Sequence, residues 1–193
     1  MISFFATYFK PDKLDITILI SYSYLIKAKK IGLNEIRFFK EEENARNYIK
    51  EERLDLINKK ASDKHKEIQN LKNLLNEYFI GKNINLIEKI TELNINLCLE
   101  KKFTSSFSQK VIRNVIKLKR GEIITYSEIG EKIGSKAYRA VGNVLRSNPL
   151  PLIIPCHRII RKDGRVGGFS GVSGESWETD LKKNLLQIEG YTV

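Results

Sequence analysis

The residues best suited to chemistry are Pro155-Cys156-His157-Arg158. A thiol, an imidazole and a guanidinium there follow the apolar run Leu150-Pro151-Leu152-Ile153-Ile154. The thiolate is the reactive form of cysteine, and a thiol of ordinary pKa, ~8.5, is mostly protonated at neutral pH. A neighbouring base or positive charge activates it, and His157 and Arg158 supply one of each. The apolar run reads as a buried, proline-stiffened strand that delivers Cys156. Consecutive side chains on an extended strand point apart, so His157 is expected to reach the sulfur through a water. A single Cys-His pair is more often an inert buried thiol beside a surface imidazole, so its surroundings decide.

The chain of 193 residues holds two cysteines, Cys98 and Cys156, and two histidines, His65 and His157. Two cysteines do not make a disulfide framework, and neither C-x-x-C nor H-x-x-x-H spacing is present, so no structural metal is expected. Cys98 reads as a buried structural thiol and His65 as a solvated residue of a charged helix. No stretch approaches the eighteen or so uninterrupted apolar residues of a membrane span. No basic region precedes an apolar core at the N-terminus. The expectation is a cytoplasmic protein, nuclear if its source is eukaryotic.

The net charge is +11. Residues 1–102 carry 19 basic and 15 acidic residues, whereas residues 103–193 carry 15 and 8, a larger excess on a shorter segment. Such an excess suits phosphate contacts, which dominate affinity for nucleic acids. A Lys-, Asn- and Ile-rich coding bias explains it equally well.

The elements that must position these residues fall into two domains, 1–102 and 103–193. The first reads as α/β, with strands at Ser3–Tyr8, Leu14–Tyr22, Tyr24–Lys29 and Glu35–Phe39, punctuated by Pro11-Asp12 and Gly32. A helical stretch opens at Glu41-Glu42-Glu43. A second helix, over Ala61–Tyr78, has Ile68, Leu71, Leu74, Leu75 and Tyr78 on the 3.6-residue period and stops at Gly81. Leu86–Leu99 reads as a connector with some strand or helix. The second domain reads as mostly helical. A helix spans Phe107–Leu118, and Ile123-Ile124 is a candidate short strand. Thr125-Tyr126-Ser127-Glu128 is a capping box opening a helix that Gly134 ends. Ser135 can cap a further helix, Lys136–Ser147, closed by Asn148-Pro149. Two short helices joined by a Gly-Ser turn make a helix-turn-helix. On the second, Ala137, Tyr138, Val141, Val144 and Leu145 are apolar. Arg139, Asn143 and Arg146 fall on the other side beside small Ala140.

With Gly-Glu-Ile-Ile-Thr-Tyr (121–126), Arg-Ala-Val-Gly (139–142), Asn-Pro (148–149), Ile-Pro-Cys-His-Arg (154–158), Gly-Gly-Phe-Ser-Gly (167–171) and Leu-Leu-Gln-Ile-Glu-Gly (185–190), the chain from Phe107 to Gly190 resembles the O6-alkylguanine-DNA alkyltransferases, or methylated-DNA–protein-cysteine methyltransferases. The first hundred residues match only in position and general pattern.

The resemblance implies an RNase H-like α/β N-terminal domain and a helical C-terminal domain with a winged-helix-like helix-turn-helix. It also implies DNA repair, with the alkyl group of O6-alkylguanine in double-stranded DNA passing irreversibly to Cys156, once per molecule. The protein would act as a monomer, without cofactor or membrane. His157 would activate Cys156, Glu189 would orient His157, Asn148 would brace the turn, and Tyr126 would donate a proton to the departing guanine. Arg139 would replace the flipped base, and the helix bearing Ala137, Ala140, Gly142 and Arg146 would lie in the minor groove, with Ser108 as a further DNA contact. Pro151 and the loop Val166–Ser170, with Gly168 and Phe169, would wall the base pocket. The chain departs from the family with Arg120 where Pro is usual, Phe169 where Tyr is common, Val172 for a common Gly, and extra length at Ser173–Asp180, including Trp177. Two other functions are weighed against transfer. A cysteine-dependent hydrolase needs a second base and an oxyanion site, and His157 is the sole imidazole close by in sequence. A non-catalytic DNA-binding module, either a regulator or a lesion reader, has no need of an acceptor cysteine.

Overall fold

The computed structural model describes residues 4–57, 65–172 and 174–192 and divides into two compact units, Met1–Cys98 and Leu99–Val193. In the first unit, strands β1 (Phe4–Phe9), β2 (Thr17–Leu25) and β3 (Lys30–Phe39) are followed by helix α1 (Glu42–Glu51), the short β4 (Asp55–Leu56), α2 (Lys66–Phe79), α3 (Leu86–Glu92) and the short β5 (Asn96–Leu97). The sheet is mixed, in the order β4-β1-β2-β3-β5. Its three long strands are antiparallel neighbours, and its two short edge strands are parallel to theirs. β2 is central and buried from Thr17 to Ser23, which explains its near-continuous Ile and Leu content. α1 covers one face, with Ile49 against Ala6 and Leu19. Toward the other face, His65 at the head of α2 stacks edge-on against Phe5 and Tyr22, each at 5.3 Å.

Several sequence expectations change in this unit. Tyr24–Lys29 is not a strand: Tyr24 and Leu25 finish β2, and residues 26–29 form the turn into β3. Gly32 lies inside β3 rather than between strands. A Cβ there would come within 2.7 Å of the Cys98 sulfur and 3.1 Å of the Leu25 side chain, so these two side chains occupy the space beside residue 32. Cys98, expected to be buried, is half-buried. His65 is a packed aromatic, not a solvated one. Ser3 and residues 61–64 of the expected helix lie outside the described residues. Leu86–Leu99 resolves into α3 and β5.

The second unit begins with α4 (Ser106–Val115), capped by Ser105, whose hydroxyl accepts from the Ser108 amide. Then come β6 (Ile124–Thr125), α5 (Tyr126–Lys132) and α6 (Tyr138–Arg146). The capping box closes as its residues dictate: the Thr125 hydroxyl accepts from the Glu128 amide while the Glu128 carboxylate accepts from the Thr125 amide. Gly134, at φ +72°, turns the chain. α6 starts two residues later than the sequence suggests. Ser135 accepts from the Ala137 amide and so holds the turn rather than the helix end, which is Ala137 itself. α5 and α6 meet closely at Gly130, where a Cβ would fall 2.7 Å from the Ser135 carbonyl and the Tyr138 ring. β7 (Ile159–Ile160) pairs in parallel with β6, and α7 (Trp177–Ile188) closes the unit.

Candidate active site

The segment that delivers Cys156 is not a strand. Pro151 and Ile154 form an isolated bridge about a turn in which Leu152 takes φ +74°, and Cys156–Arg158 is a single 3₁₀ turn. A bulky residue at positive φ costs about 1–3 kcal/mol, and the surroundings offset it. Leu150, Leu152, Ile153 and Ile154 are all buried, and the Asn148 side chain clamps both ends of the turn. Its oxygen accepts from the Leu150 amide at 3.0 Å, and its nitrogen donates to the Ile154 carbonyl at 2.9 Å. The same nitrogen donates to the Cys156 sulfur at 3.2 Å. Apolar content alone suggested a strand; one polar side chain and one left-handed residue make a loop instead.

Cys156 is 9% exposed, at the floor of a cavity of about 420 Å³ whose walls include Tyr126, Arg139, Arg146 and Phe169. Burial pushes its thiol pKa up, outweighing the Asn148 hydrogen bond and the charge of Lys182. The resting sulfur is a thiol awaiting a base. His157, wholly buried, meets Glu189 with Nε2 and Oε1 3.0 Å apart. Burial pushes the imidazole pKa down, against the pull of the carboxylate, and holds the ring neutral. Because a carboxylate only accepts, Nε2 carries the hydrogen and Nδ1 is the basic nitrogen.

Glu189 is shared. Arg158 donates to it from Nε at 2.9 Å and from Nη2 at 2.7 Å, and from Nη1 to the Leu118 carbonyl at 2.5 Å. Burial alone would raise the Glu189 pKa, but the hydrogen bonds from His157 and Arg158 hold it well below the usual carboxylate range. Arg158, read from the sequence as a charge beside the thiol, is thus the counter-ion of Glu189. Lys182 escaped the sequence reading. It is wholly buried on α7 and donates to the carbonyls of Ile159 at 2.6 Å and Gly168 at 3.3 Å. Burial brings its pKa down to about 8. Its signal was periodicity: a lysine about one turn before Leu185-Leu186 shares their apolar face.

α6 presents Ala137 and Arg139 as exposed residues, with Ala140 half-buried; Gly142 and Arg146 reach the cavity. Only Val141 and Leu145 of its expected apolar face are buried. Tyr126, the first residue of α5, faces the cavity beside Gly142. Gly168, Phe169 and Ser170 line the cavity together with Gly171 and Val172. Three expected site residues are elsewhere. Val166 packs in a small core with Ile160 and Leu186, Pro151 is buried in the turn, and the buried Ser108 hydroxyl donates to the Ser105 carbonyl within the α4 cap. Of the extra length Ser173–Asp180, Trp177–Asp180 is the first turn of α7, capped by Ser176, and Ser173 lies outside the described residues. Among the described residues, no helix is long and apolar enough to cross a membrane.

Residues 106–191 match the family model described as 6-O-methylguanine DNA methyltransferase, DNA binding domain. A methylated-DNA–protein-cysteine methyltransferase of Metallosphaera sedula is 39% identical over 120 residues, 62% of this chain and 65% of that protein. The chain's match thus spans just under two thirds of that relative's length. One from Saccharolobus islandicus is 40% identical over 120 residues, 62% of this chain and 67% of its own length. Among solved structures, the O6-methylguanine-DNA methyltransferase of Pyrococcus kodakaraensis superposes with a TM-score of 0.63 at 21% identity, covering 96% of this chain and 99% of that one.

Proposed function

The chain belongs to the methylated-DNA–protein-cysteine methyltransferase family, and from that premise we propose that it repairs DNA by moving an alkyl group from O6-alkylguanine onto Cys156, once per molecule. The observation that carries this reading is the cavity floor. A cysteine is held there by Asn148, next in sequence to a neutral histidine whose far nitrogen is fixed by a carboxylate. In this reading the N-terminal unit is RNase H-like and the C-terminal unit a winged-helix-like helix-turn-helix.

The damaged base leaves the duplex through the minor groove, at a cost of a few kcal/mol, and Arg139 fills the vacancy. The thiol proton passes through a water to His157 Nδ1, and Glu189, which Arg158 helps to keep ionised, stabilises the imidazolium. The sulfur attacks the alkyl carbon in line, the carbon–O6 bond breaks, and its electron pair stays with guanine. Tyr126, a neutral phenol whose pKa is raised by burial and by the nearby Cys156, gives guanine a proton. The product thioether is stable, which makes the reaction single-turnover. Double-stranded DNA is the partner, bound by a monomer through the basic α6 face.

The test is transfer of labelled methyl from an O6-methylguanine duplex. Label should move to wild-type protein and not to Cys156→Ala, which should keep its DNA affinity because the sulfur contributes little to phosphate contact. Undiminished label on Cys156→Ala, or sequence-specific binding without transfer, would contradict the proposal.

A further inference from the structure

β7 is followed by a tight turn, Arg161-Lys162-Asp163-Gly164-Arg165. It is closed by the Arg161 amide donating to the Arg165 carbonyl at 2.9 Å and the Gly164 amide to the Arg161 carbonyl at 3.0 Å. Asp163 faces two arginines but serves them unequally. Arg165 donates to its carboxylate from Nε at 2.9 Å, from Nη2 at 2.6 Å and from the backbone amide at 3.2 Å. The one Arg161 contact is a looser 3.3 Å. A bidentate arginine–carboxylate pair is the stronger arrangement, so Arg165 is the main partner of Asp163, and Arg161 shares that carboxylate through the single longer contact.

The side chain of Arg161 runs toward Tyr126 across Gly167. A Cβ on Gly167 would lie 3.3 Å from Arg161 Cγ, 3.6 Å from Cδ and 3.9 Å from the Tyr126 hydroxyl. Gly167, at φ +73° and without a side chain, is what lets the arginine stem and the phenol approach. Arg161 and Tyr126 line one cavity of about 730 Å³ beside the sulfur-bearing one. The direction of the electrostatics agrees: Arg161 lowers the pKa of the Tyr126 phenol, against burial and Cys156, which raise it.

We infer that Arg161 is a positioning residue whose guanidinium stabilises the negative charge left on the Tyr126 oxygen when the phenol gives its proton to the departing guanine. The inference rests on the proposal that Tyr126 is that donor. As the sulfur–carbon bond forms and the carbon–O6 bond breaks, the electron pair goes to guanine. The phenol proton follows it to a ring nitrogen, and the phenolate regains a proton from solvent when guanine leaves. The charge on the phenolate oxygen is transient, and Arg161 is the cation that approaches it across Gly167.

Free O6-benzylguanine separates this role from a phosphate contact, since it has no backbone. With the full chain, Arg161→Gln should slow single-turnover transfer from the free base about two- to fivefold, the size of a partly exposed charge interaction. Arg161→Lys, which keeps the charge, should recover most of that loss. In a Tyr126→Phe background, Arg161→Gln should cause no further loss. An Arg161→Gln rate equal to wild type, or the same fractional loss with and without the phenol, would overturn the inference while leaving Tyr126 as donor. A Tyr126→Phe variant as fast as wild type would refute the donor and the inference together.

Discussion

At the scale of residues, the chemistry divides between groups that act and groups that hold. Cys156 and His157 are legible in the sequence as a pair, but each alone is ambiguous; the ordered series of short motifs around them separated chemistry from coincidence. The backbone that carries them differs from the expected strand. An extended strand would turn the two side chains apart, whereas a 3₁₀ turn sets them on one short coil with Asn148 against the sulfur. Glu189 was legible through resemblance alone, and its second partner, Arg158, was not legible at all. The two residues are 31 positions apart, and nothing in local spacing joins them. Arg139 is exposed, so its proposed role makes a sharp prediction. Arg139→Ala should slow repair of duplex DNA about tenfold or more, because an emptied stack must be left unfilled. It should leave transfer from free O6-benzylguanine close to wild type. Rates of both reactions on one preparation check this, and equal losses would make Arg139 structural.

Among the elements, those marked by polar punctuation were the readable ones. The capping box at Thr125 and the glycine at 134 fixed α5 to within a residue, because both act through backbone hydrogen bonds local to the chain. The failures share a cause. Runs rich in apolar residues do not fix backbone direction: Tyr24–Lys29 is a mostly exposed strand end and turn, Leu150–Ile154 a buried turn. At the second run the deciding group is Asn148, with three partners across eight residues. Asn148→Ala should therefore cost about 1–3 kcal/mol, the usual penalty for buried amide and carbonyl groups that lose partners. It should also slow transfer, since the Leu152 turn loses its clamp. Urea unfolding and single-turnover rates test this together; loss of rate without loss of stability would assign Asn148 to the chemistry alone.

For the molecule as a whole, stability is tied to the site. Glu189 in an unfolded chain titrates near 4.5, and in the fold His157 and Arg158 keep it ionised to lower pH. A carboxylate depressed in this way contributes stability that is fully present above the unfolded value and is lost as pH falls below it. The melting temperature should accordingly hold near pH 6 and decline steadily from about pH 4.5 downward. Identical melting curves at pH 5 and pH 3 would contradict the burial of this pair. Reaction at Cys156 should be destabilising for a related reason. A methyl group on a sulfur that is 9% exposed overpacks the site and displaces the Asn148 donor, at a cost of about 1–3 kcal/mol. Fully alkylated protein should melt below untreated protein in the absence of DNA, and an equal or higher melting temperature would show spare room around the sulfur.

Charge distribution sets the remaining whole-molecule property. With +7 on residues 103–193, DNA binding should weaken steeply as salt rises and discriminate little among undamaged sequences, because phosphates dominate the contact and the minor groove carries a degenerate code. A strong sequence-specific footprint at physiological salt would favour a regulator.

The central claim is that one sulfur accepts one alkyl group and stops. The most direct test is the mass of the intact protein after incubation with excess duplex containing O6-methylguanine, followed by peptide mapping. The account predicts that every active molecule gains the mass of a single methyl group, that the methyl group maps to Cys156, and that no further guanine is released once Cys156 is filled. Continued release of repaired guanine beyond one per protein, or a methyl group mapped to Cys98 or any other residue, would contradict it.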